Sequence, residues 1–294
     1  MLFNWDLLSG VLLISDSIRI IWQKGGKSGG GQSATTFGVQ LECDCLKYSM
    51  TATSSAWTDA ELYCPYQHEQ ALLYEFADCV STRAFFKMVN LPFSLEQRPN
   101  SEYMSPNGVV PFLRMDSTLT AGFSEIVELV SQKGIKLTNT LSSSELTDMQ
   151  ALIALIKENL IRAEMYFCWN DKATYNLVTR LRYSSVHFFP LNLILAPLKR
   201  REVLAFLSDM GWQKLSIEAV VKKADACFHA LSVKLGNNKY FTGDEPTELD
   251  ALAFGHLYTI LTTELPSMNL LNSLRKYPNL LKYAHNVDQS FFKD

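Results

Sequence analysis

Apolar positions in the first half of the chain fall in short runs that suit strands, separated by stretches with helical spacing. In chain order, the pattern predicts a strand at 71–76, a helix at 81–90, strands at 93–97 and 109–115, and a helix at 122–133. Leu91-Pro92 ends the first helix, because proline lacks the amide hydrogen that a helix interior needs. A strand, a helix and a strand in succession are typical of parallel pairing, so we expect a small sheet covered by helices.

Beyond residue 142 the strand signals nearly vanish and helical spacing takes over. Ser142 and Glu145, three residues apart, form a capping box that predicts the start of a long helix. Two further helices are predicted at 200–210 and 217–235, each closed by a glycine. The second half is therefore predicted to be an all-helical domain.

Residues 1–56 differ from the rest and are predicted to be an appended N-terminal extension. The glycine-rich stretch at 25–31 is typical of a flexible linker. Lys27-Ser28 does not complete a phosphate-binding loop, since Ile21 stands where that motif needs a glycine. The predicted domains are thus the extension at 1–56, an α/β domain at 57–138 and a helical domain at 142–294.

Composition narrows the classes of function. The net charge is only -3, so we expect no nucleic-acid partner. The six cysteines are spread thinly, which favours a reducing compartment over a disulfide scaffold. Cys43 and Cys45 have no matching pair of ligands nearby, and the five histidines show no ligand spacing, so we expect neither a metal nor a cofactor. No apolar stretch reaches the ~20 residues of a membrane-spanning helix, so membrane attachment is expected to be peripheral.

Two local motifs refine the fold expectation. Val110-Pro111 resembles the pair that opens the third strand of glutathione transferases, where the proline is cis, so Pro111 is expected to be cis. Thr247 and Asp250 resemble the helix capping box of the same family. The resemblance implies a thioredoxin-like α/β domain followed by an all-α domain, which is the glutathione-transferase-like fold.

Two longer segments resemble one family within that fold. The run Glu102-Tyr-Met-Ser-Pro-Asn-Gly108, leading into Val110-Pro111-Phe112, and the run from Pro246 to Thr263 both resemble the metaxins, and among them the metaxin two branch. The resemblance extends from about residue 57 to the end of the chain.

The positions that would bind glutathione argue against catalysis. Alignment on Arg83-Ala84-Phe85 places Asp78 where a transferase carries its hydroxyl or thiol, with Cys79 beside it as the one candidate reactive thiol. The positions for the γ-glutamyl group fall on Gly122 and Phe123, and Phe123 is expected to fill the pocket. A shifted alignment would use Ser124-Glu125 instead.

Two surface features remain open. The apolar run at 187–197 contains two prolines, Pro190 and Pro197, which predicts that it is not one continuous helix. It is either an exposed docking segment or a bent connection packed inside the domain. Lys199, Arg200 and Arg201, together with other basic residues, form either a basic face for anionic lipid or an acidic partner, or a solvated helix surface.

The metaxin resemblance implies a non-catalytic subunit of the sorting and assembly machinery that inserts β-barrel proteins into the mitochondrial outer membrane. The implied partners are a tail-anchored metaxin one-like protein, the outer-membrane β-barrel insertase and β-barrel precursors, with a peripheral location on the cytosolic face. Two alternatives stay open. The first is an adaptor that links mitochondria to motor complexes. The second is a divergent glutathione-dependent transferase that uses Cys79.

Overall fold

The computed structural model describes residues 11–15, 18–21, 40–42, 57, 59–67 and 69–293. The chain divides into two units, Met1–Ala52 and Thr53–Asp294. In the first unit, three strands pair antiparallel in the order β1-β2-β3, namely β1 (Val11–Ser15), β2 (Ile18–Ile21) and β3 (Gln40–Glu42). The predicted glycine-rich linker, Cys43 and Cys45 lie outside the described residues.

The second unit opens with a four-stranded sheet of order β5-β4-β6-β7 and three helices. The elements are β4 (Glu61–Cys64), α1 (Leu73–Met88), β5 (Ser94–Gln97), α2 (Ser101–Met104), β6 (Phe112–Met115), β7 (Thr118–Ala121) and α3 (Phe123–Gln132). β4 and β5 are parallel, while β6 runs antiparallel to both β4 and β7. The predicted strands near 93–97 and 109–115 and the helix near 122–133 are therefore confirmed. A parallel pair is present as predicted, but β4 takes the place of the predicted strand at 71–76.

The predicted strand at 71–76 is wrong, because Leu73–Phe76 form the first turn of α1 and Leu72 is its N-cap. The carboxylate of Glu75 accepts a hydrogen bond from the amide of Leu72 at 3.2 Å and so closes the first turn of the helix. The run is apolar at most of its successive positions, and a short apolar run is compatible with either a buried strand or a buried helix. The first strand of this sheet is instead β4, a stretch of only four residues.

The rest of the unit is helical. Its elements are α4 (Ser143–Leu155), a π-helical segment (Ile156–Ile161), α5 (Arg162–Trp169), α6 (Lys172–Thr174), a second π-helical segment (Tyr175–Thr179), α7 (Arg180–Ser184), α8 (Leu191–Asp209), α9 (Ile217–Leu235), α10 (Glu248–Thr262), α11 (Asn269–Leu274) and α12 (Pro278–Phe291). The capping box at Ser142 is confirmed, since Glu145 accepts from the Ser142 amide at 2.8 Å. The predicted helix at 217–235 is confirmed as well.

Helix α8 begins nine residues earlier than the predicted 200, at Leu191, and contains Pro197. The prediction that the run at 187–197 is not one continuous helix is confirmed, since α8 begins only after Pro190, whereas Pro197 lies inside the helix and does not end it. A proline in a helix interior costs about 3 kcal/mol, and burial of Ala196, Val203 and Leu207 along the same helix offsets that cost.

One hydrophobic core joins the sheet to the helical part of this unit. Helix α10 lies at its centre and is buried along most of its length, from Leu249 to Ile260. It packs closely against α1, where Gly255 allows the two backbones to approach. The same core extends to the sheet and its flanking helices, where it includes Leu62, Phe85 and Ile126.

Candidate functional site

The start of the first helix is where the resemblance places a nucleophile, and the structure changes which residues lie there. Asp78 and Cys79 were expected at this start, but α1 begins at Leu73, so both lie within the helix. That expectation is wrong because the helix starts about two turns before the predicted residue 81. The carbonyl of Ala71, just before the helix, accepts from Arg182 Nη1 at 3.1 Å.

Cys79 has the environment of a core thiol. Its side chain is buried beside the Cys64 thiol, and burial, followed by the interaction with Cys64, raises the pKa of Cys79 well above its usual value. Nucleophilic cysteines need the opposite conditions, namely exposure and a lowered pKa. This geometry does not favour chemistry at Cys79.

The start of α3, where the γ-glutamyl group would bind, is occupied by contacts within the protein. Phe123 is buried in the core and packs edge-on against Phe85, with ring centroids 6.2 Å apart. Ser124, the residue of the shifted alignment, accepts a hydrogen bond from Lys157 Nζ at 2.6 Å. Gly122 has a φ of +93° and precedes the helix.

The residues expected to shape the fold have defined geometry. The Val110-Pro111 peptide bond is cis. The buried carboxylate of Asp250 accepts from the amide and the hydroxyl of Thr247, each at 2.8 Å, and from the amide of Phe241 at 3.0 Å. Burial raises the pKa of Asp250 to about 6, while these hydrogen bonds act to lower it. Asp250 thus holds the start of α10 and the segment before it together.

A buried charged cluster links three helices of the core. Nδ1 of His256 in α10 lies 2.9 Å from Glu164 Oε2 in α5, and both side chains are fully buried. Nε2 of His256 lies 3.5 Å from Asp78 Oδ1 in α1, a separation that suits an ion pair better than a hydrogen bond. Burial lowers the pKa of His256, but the two carboxylates outweigh it and raise the pKa to about 10. Burial raises the pKa of Glu164, and His256 opposes that shift.

This cluster contains the residue types of part of a catalytic triad, but it is not accessible to solvent. The imidazole is charged at neutral pH and has no exposed surface, so no substrate reaches it. His256 was predicted to be a hydrogen-bonded core histidine, which is confirmed. Its acidic partners were missed, although Glu164 gives a signal as a single carboxylate among the apolar residues at 163–169.

A second polar cluster closes the seam between the α/β part and the helices. Glu102 of α2 accepts from Tyr183 at 2.9 Å and pairs with Lys199 of α8 at 2.8 Å. Burial acts to lower the pKa of Lys199, but Glu102 outweighs it and holds the pKa above its usual value. Burial, with the charge of Glu102 second, raises the pKa of Glu75 at the start of α1 to about 7. The contacts of Glu102 with Tyr183 and Lys199 therefore connect α2 to the helical part.

The helical part carries an exposed apolar surface and a groove. Seven of the exposed large apolar side chains of the helical part lie within residues 177–198, namely Leu177, Leu181, Phe188, Phe189, Leu193, Ile194 and Leu198. Of the two alternatives for the run at 187–197, exposure favours the docking segment. Nearby, a groove of about 450 Å³ is lined by residues that include Tyr175, Arg200 and Arg201. Arg200 lies over the Tyr175 ring at 4.3 Å and donates to the Trp169 carbonyl.

Among the described residues, no three histidine, cysteine or acidic side chains are grouped so as to hold a metal ion. None of the helices in that part of the chain combines the length and apolar character needed to cross a bilayer.

Comparison with known proteins decides the family. The chain is 47% identical over 224 residues to the "Metaxin-2 homolog" of Caenorhabditis elegans, a match that spans 76% of this chain and 96% of the relative. It is 40% identical over 247 residues to "Metaxin-2" of Homo sapiens, covering 84% and 94% of the two chains. The chain belongs to the metaxin family. Within the metaxins, these relatives place it in the metaxin-2 branch.

Two family models match parts of this metaxin. The model described as "Outer mitochondrial membrane transport complex protein" matches residues 79–200, and "Glutathione S-transferase, C-terminal domain" matches residues 224–287. A glutathione transferase family member from Pseudomonas fluorescens superposes with a TM-score of 0.50 at 12% identity, over 78% of this chain and 88% of that one. The metaxin fold here is therefore glutathione-transferase-like, as expected, and the matches associate the chain with transport at the mitochondrial outer membrane.

Proposed function

We propose that this metaxin is a non-catalytic subunit of the sorting and assembly machinery of the mitochondrial outer membrane, where it supports the import and insertion of β-barrel proteins by binding other proteins. Similarity to metaxin-2 relatives over nearly their whole length is the observation that carries the proposal. The family model for an outer mitochondrial membrane transport complex protein supports the same compartment.

The proposed partners are a tail-anchored metaxin one-like protein, the β-barrel insertase and β-barrel precursors. The chain would sit peripherally on the cytosolic face. The contacts at the transferase-type positions support a binding role over a catalytic one. Cys79 is buried, Phe123 lies in the core, and Lys157 engages Ser124. A fold that is retained while these positions serve internal packing suits a protein that acts through its surface.

The first test is a pull-down of the tagged full chain from gently solubilised mitochondria, with partners identified by mass spectrometry. We expect recovery of a tail-anchored metaxin and the outer-membrane barrel insertase. Recovery of neither, from extracts in which the insertase is shown to be intact, would contradict the assembly-subunit role.

A second test addresses the transferase alternative. Isothermal titration of the purified chain with glutathione is expected to show no saturable binding. Glutathione binding together with a thiol-transfer activity that disappears in Cys79→Ser would favour the enzyme instead. A matched control is Cys227→Ser, which changes another buried cysteine in α9.

A further inference from the structure

The helical hairpin at residues 172–209 concentrates positive charge in a chain of net negative charge. Between residues 172 and 201 the chain contains no aspartate and no glutamate. The same stretch holds six basic residues: Lys172, Arg180, Arg182, Lys199, Arg200 and Arg201. The chain as a whole has a net charge of -3, so this concentration of one sign is local to the hairpin.

Three of the six basic side chains remain exposed to solvent. Lys172, Arg180 and Arg201 are exposed, and none of the ion pairs in the described part of the chain involves them. Lys199, by contrast, is paired with Glu102 and Glu202. The surface therefore keeps cations that are available to an anionic partner.

Exposed apolar side chains accompany these cations. On the first arm of the hairpin, Leu177 and Leu181 lie four residues apart and share one side of the helix. On α8, Ile194 and Leu198 repeat that spacing. Leu193 adds a fifth exposed apolar side chain near the turn.

The turn of the hairpin presents two phenylalanines outward. Phe188 is 89% exposed and Phe189 is 79% exposed. The preceding residue, His187, is anchored against the rings of Tyr103 and Tyr183, at centroid distances of 5.9 and 6.1 Å. The Phe188 carbonyl accepts from the amide of Asn192 at 3.3 Å, so the backbone that carries the two rings is itself hydrogen-bonded.

We propose that this hairpin docks directly on an anionic phospholipid surface, with Phe188 and Phe189 inserted at the boundary of headgroups and acyl chains and Arg180 and Arg201 among the headgroups. Aromatic and aliphatic side chains beside lysine and arginine form the surface that suits this boundary. Anionic lipids attract each nearby basic side chain. Residues 172–201 contain no carboxylate, and the exposed Glu202 that follows them is paired with Lys199, so the free charge of the hairpin is positive and complements an anionic lipid surface.

This inference deepens the proposed function, because it adds a lipid contact to the attachment of the chain at the outer membrane. The two are separable by experiment. Binding to protein-free vesicles requires no assembly partner, and the pull-down from solubilised membranes requires no bilayer.

The test is sedimentation of the purified full chain with vesicles of phosphatidylcholine alone or mixed with phosphatidylserine. We expect binding that increases strongly with phosphatidylserine. Phe188→Ser combined with Phe189→Ser should weaken it at least about tenfold, through loss of buried apolar area. Arg180→Gln combined with Arg201→Gln should weaken it about 25-fold on the anionic vesicles and little on the neutral ones.

Matched controls come from α9. Val233, an exposed aliphatic residue, is changed to serine, and the exposed Lys222 is changed to glutamine, with full binding expected for both. Wild-type protein that stays in the supernatant with every vesicle would overturn the proposal, as would equal losses in the controls. The phenylalanine variant could also lose its protein partners in the pull-down while it keeps its binding to vesicles. That result would make the hairpin a protein interface and would likewise overturn the lipid contact.

Discussion

His256 illustrates how a residue with catalytic chemistry serves structure when it is buried. The imidazolium lies between Glu164 and Asp78 and so ties α10 to α5 and α1. Removing one partner of a buried ion pair leaves the other charge without compensation in a low-dielectric core. The cluster is therefore sensitive to substitution even though no ligand contacts it.

We predict that His256→Ala lowers the free energy of unfolding by about 3 kcal/mol or more, because the Glu164 carboxylate is left buried and unpaired. Urea unfolding followed by circular dichroism measures the change. His229→Ala, at an exposed position in α9, serves as the control and should stay within about 0.5 kcal/mol of the wild type. Equal stabilities of the two variants would contradict the assigned role of the cluster.

The same histidine predicts a dependence of stability on pH. The pKa of His256 is about 10 in the folded state against an ordinary value of 6.5, so the folded protein holds this proton more tightly. The stabilisation is fully present below pH 6.5 and is lost as the pH rises towards about 10. His256→Gln should therefore flatten the decline of stability between these limits, as measured by urea unfolding across the pH range. Parallel curves for the wild type and His256→Gln would show that the ring does not titrate in this way.

The partners of His256 could not be predicted from the sequence. Residues 78, 164 and 256 are far apart in the chain, and only the packing of three helices brings them together. Cys79 presents the same difficulty. Cys79 was predicted to lie at the start of the first helix because that helix was predicted to begin at residue 81, whereas α1 begins at Leu73. The burial of Cys79 beside Cys64 depends on β4, a strand that the apolar pattern did not reveal. Side-chain environment in this core is a long-range property.

At the scale of single elements, helix starts were predictable where a local polar motif marks them. Ser142 and Glu145 mark α4, and Ser216 marks α9, whose amide at Ala219 bonds to the Ser216 hydroxyl at 3.3 Å. The start of α1 has no such signal, since Leu72 occupies its capping position. β4 was missed for a related reason, because four residues are too few to establish an alternating pattern.

The cap of α10 gives a test of one such motif. We predict that Thr247→Ala lowers the free energy of unfolding by about 1 to 2 kcal/mol, since Asp250 loses a hydrogen bond from the hydroxyl in a buried site. Thermal unfolding and urea unfolding both measure the loss. Thr247→Ser keeps the hydroxyl and should retain most of the stability. Unchanged stability of Thr247→Ala would contradict a stabilising role of the capping box.

The close approach of α1 and α10 gives a second test, in which the sign of the change in the free energy of unfolding is informative. A helical Gly→Ala change ordinarily stabilises by about 1 kcal/mol. At Gly255 the added methyl would meet the Ala77 carbonyl at 2.5 Å and the Ser81 amide at 2.6 Å, and both are backbone atoms. We therefore predict that Gly255→Ala destabilises by about 3 kcal/mol in urea unfolding. A stabilised variant would show that the helices lie further apart than described.

At the scale of the whole molecule, the second unit combines a glutathione-transferase-like fold with a surface that suits binding. The seam of Glu102, Tyr183 and Lys199 holds the α/β part against the helices. The exposed hairpin of the helical part carries the apolar and basic groups. The overall fold was predictable because Val110-Pro111 and the metaxin-like segments are contiguous in sequence. The length of α8 was not, since its start was predicted at residue 200, whereas the helix begins at Leu191 and continues through Pro197.

In the proposed function, the chain supports insertion of β-barrel proteins without chemistry of its own. The most direct measurement is the import of radiolabelled precursors into mitochondria isolated from cells depleted of this chain. We predict that assembly of β-barrel precursors falls while import of a matrix-targeted precursor continues, and that the wild type and Cys79→Ser both restore assembly. Unchanged β-barrel assembly after full depletion would contradict this role. Rescue by the wild type but not by Cys79→Ser would indicate that the Cys79 thiol is needed for function.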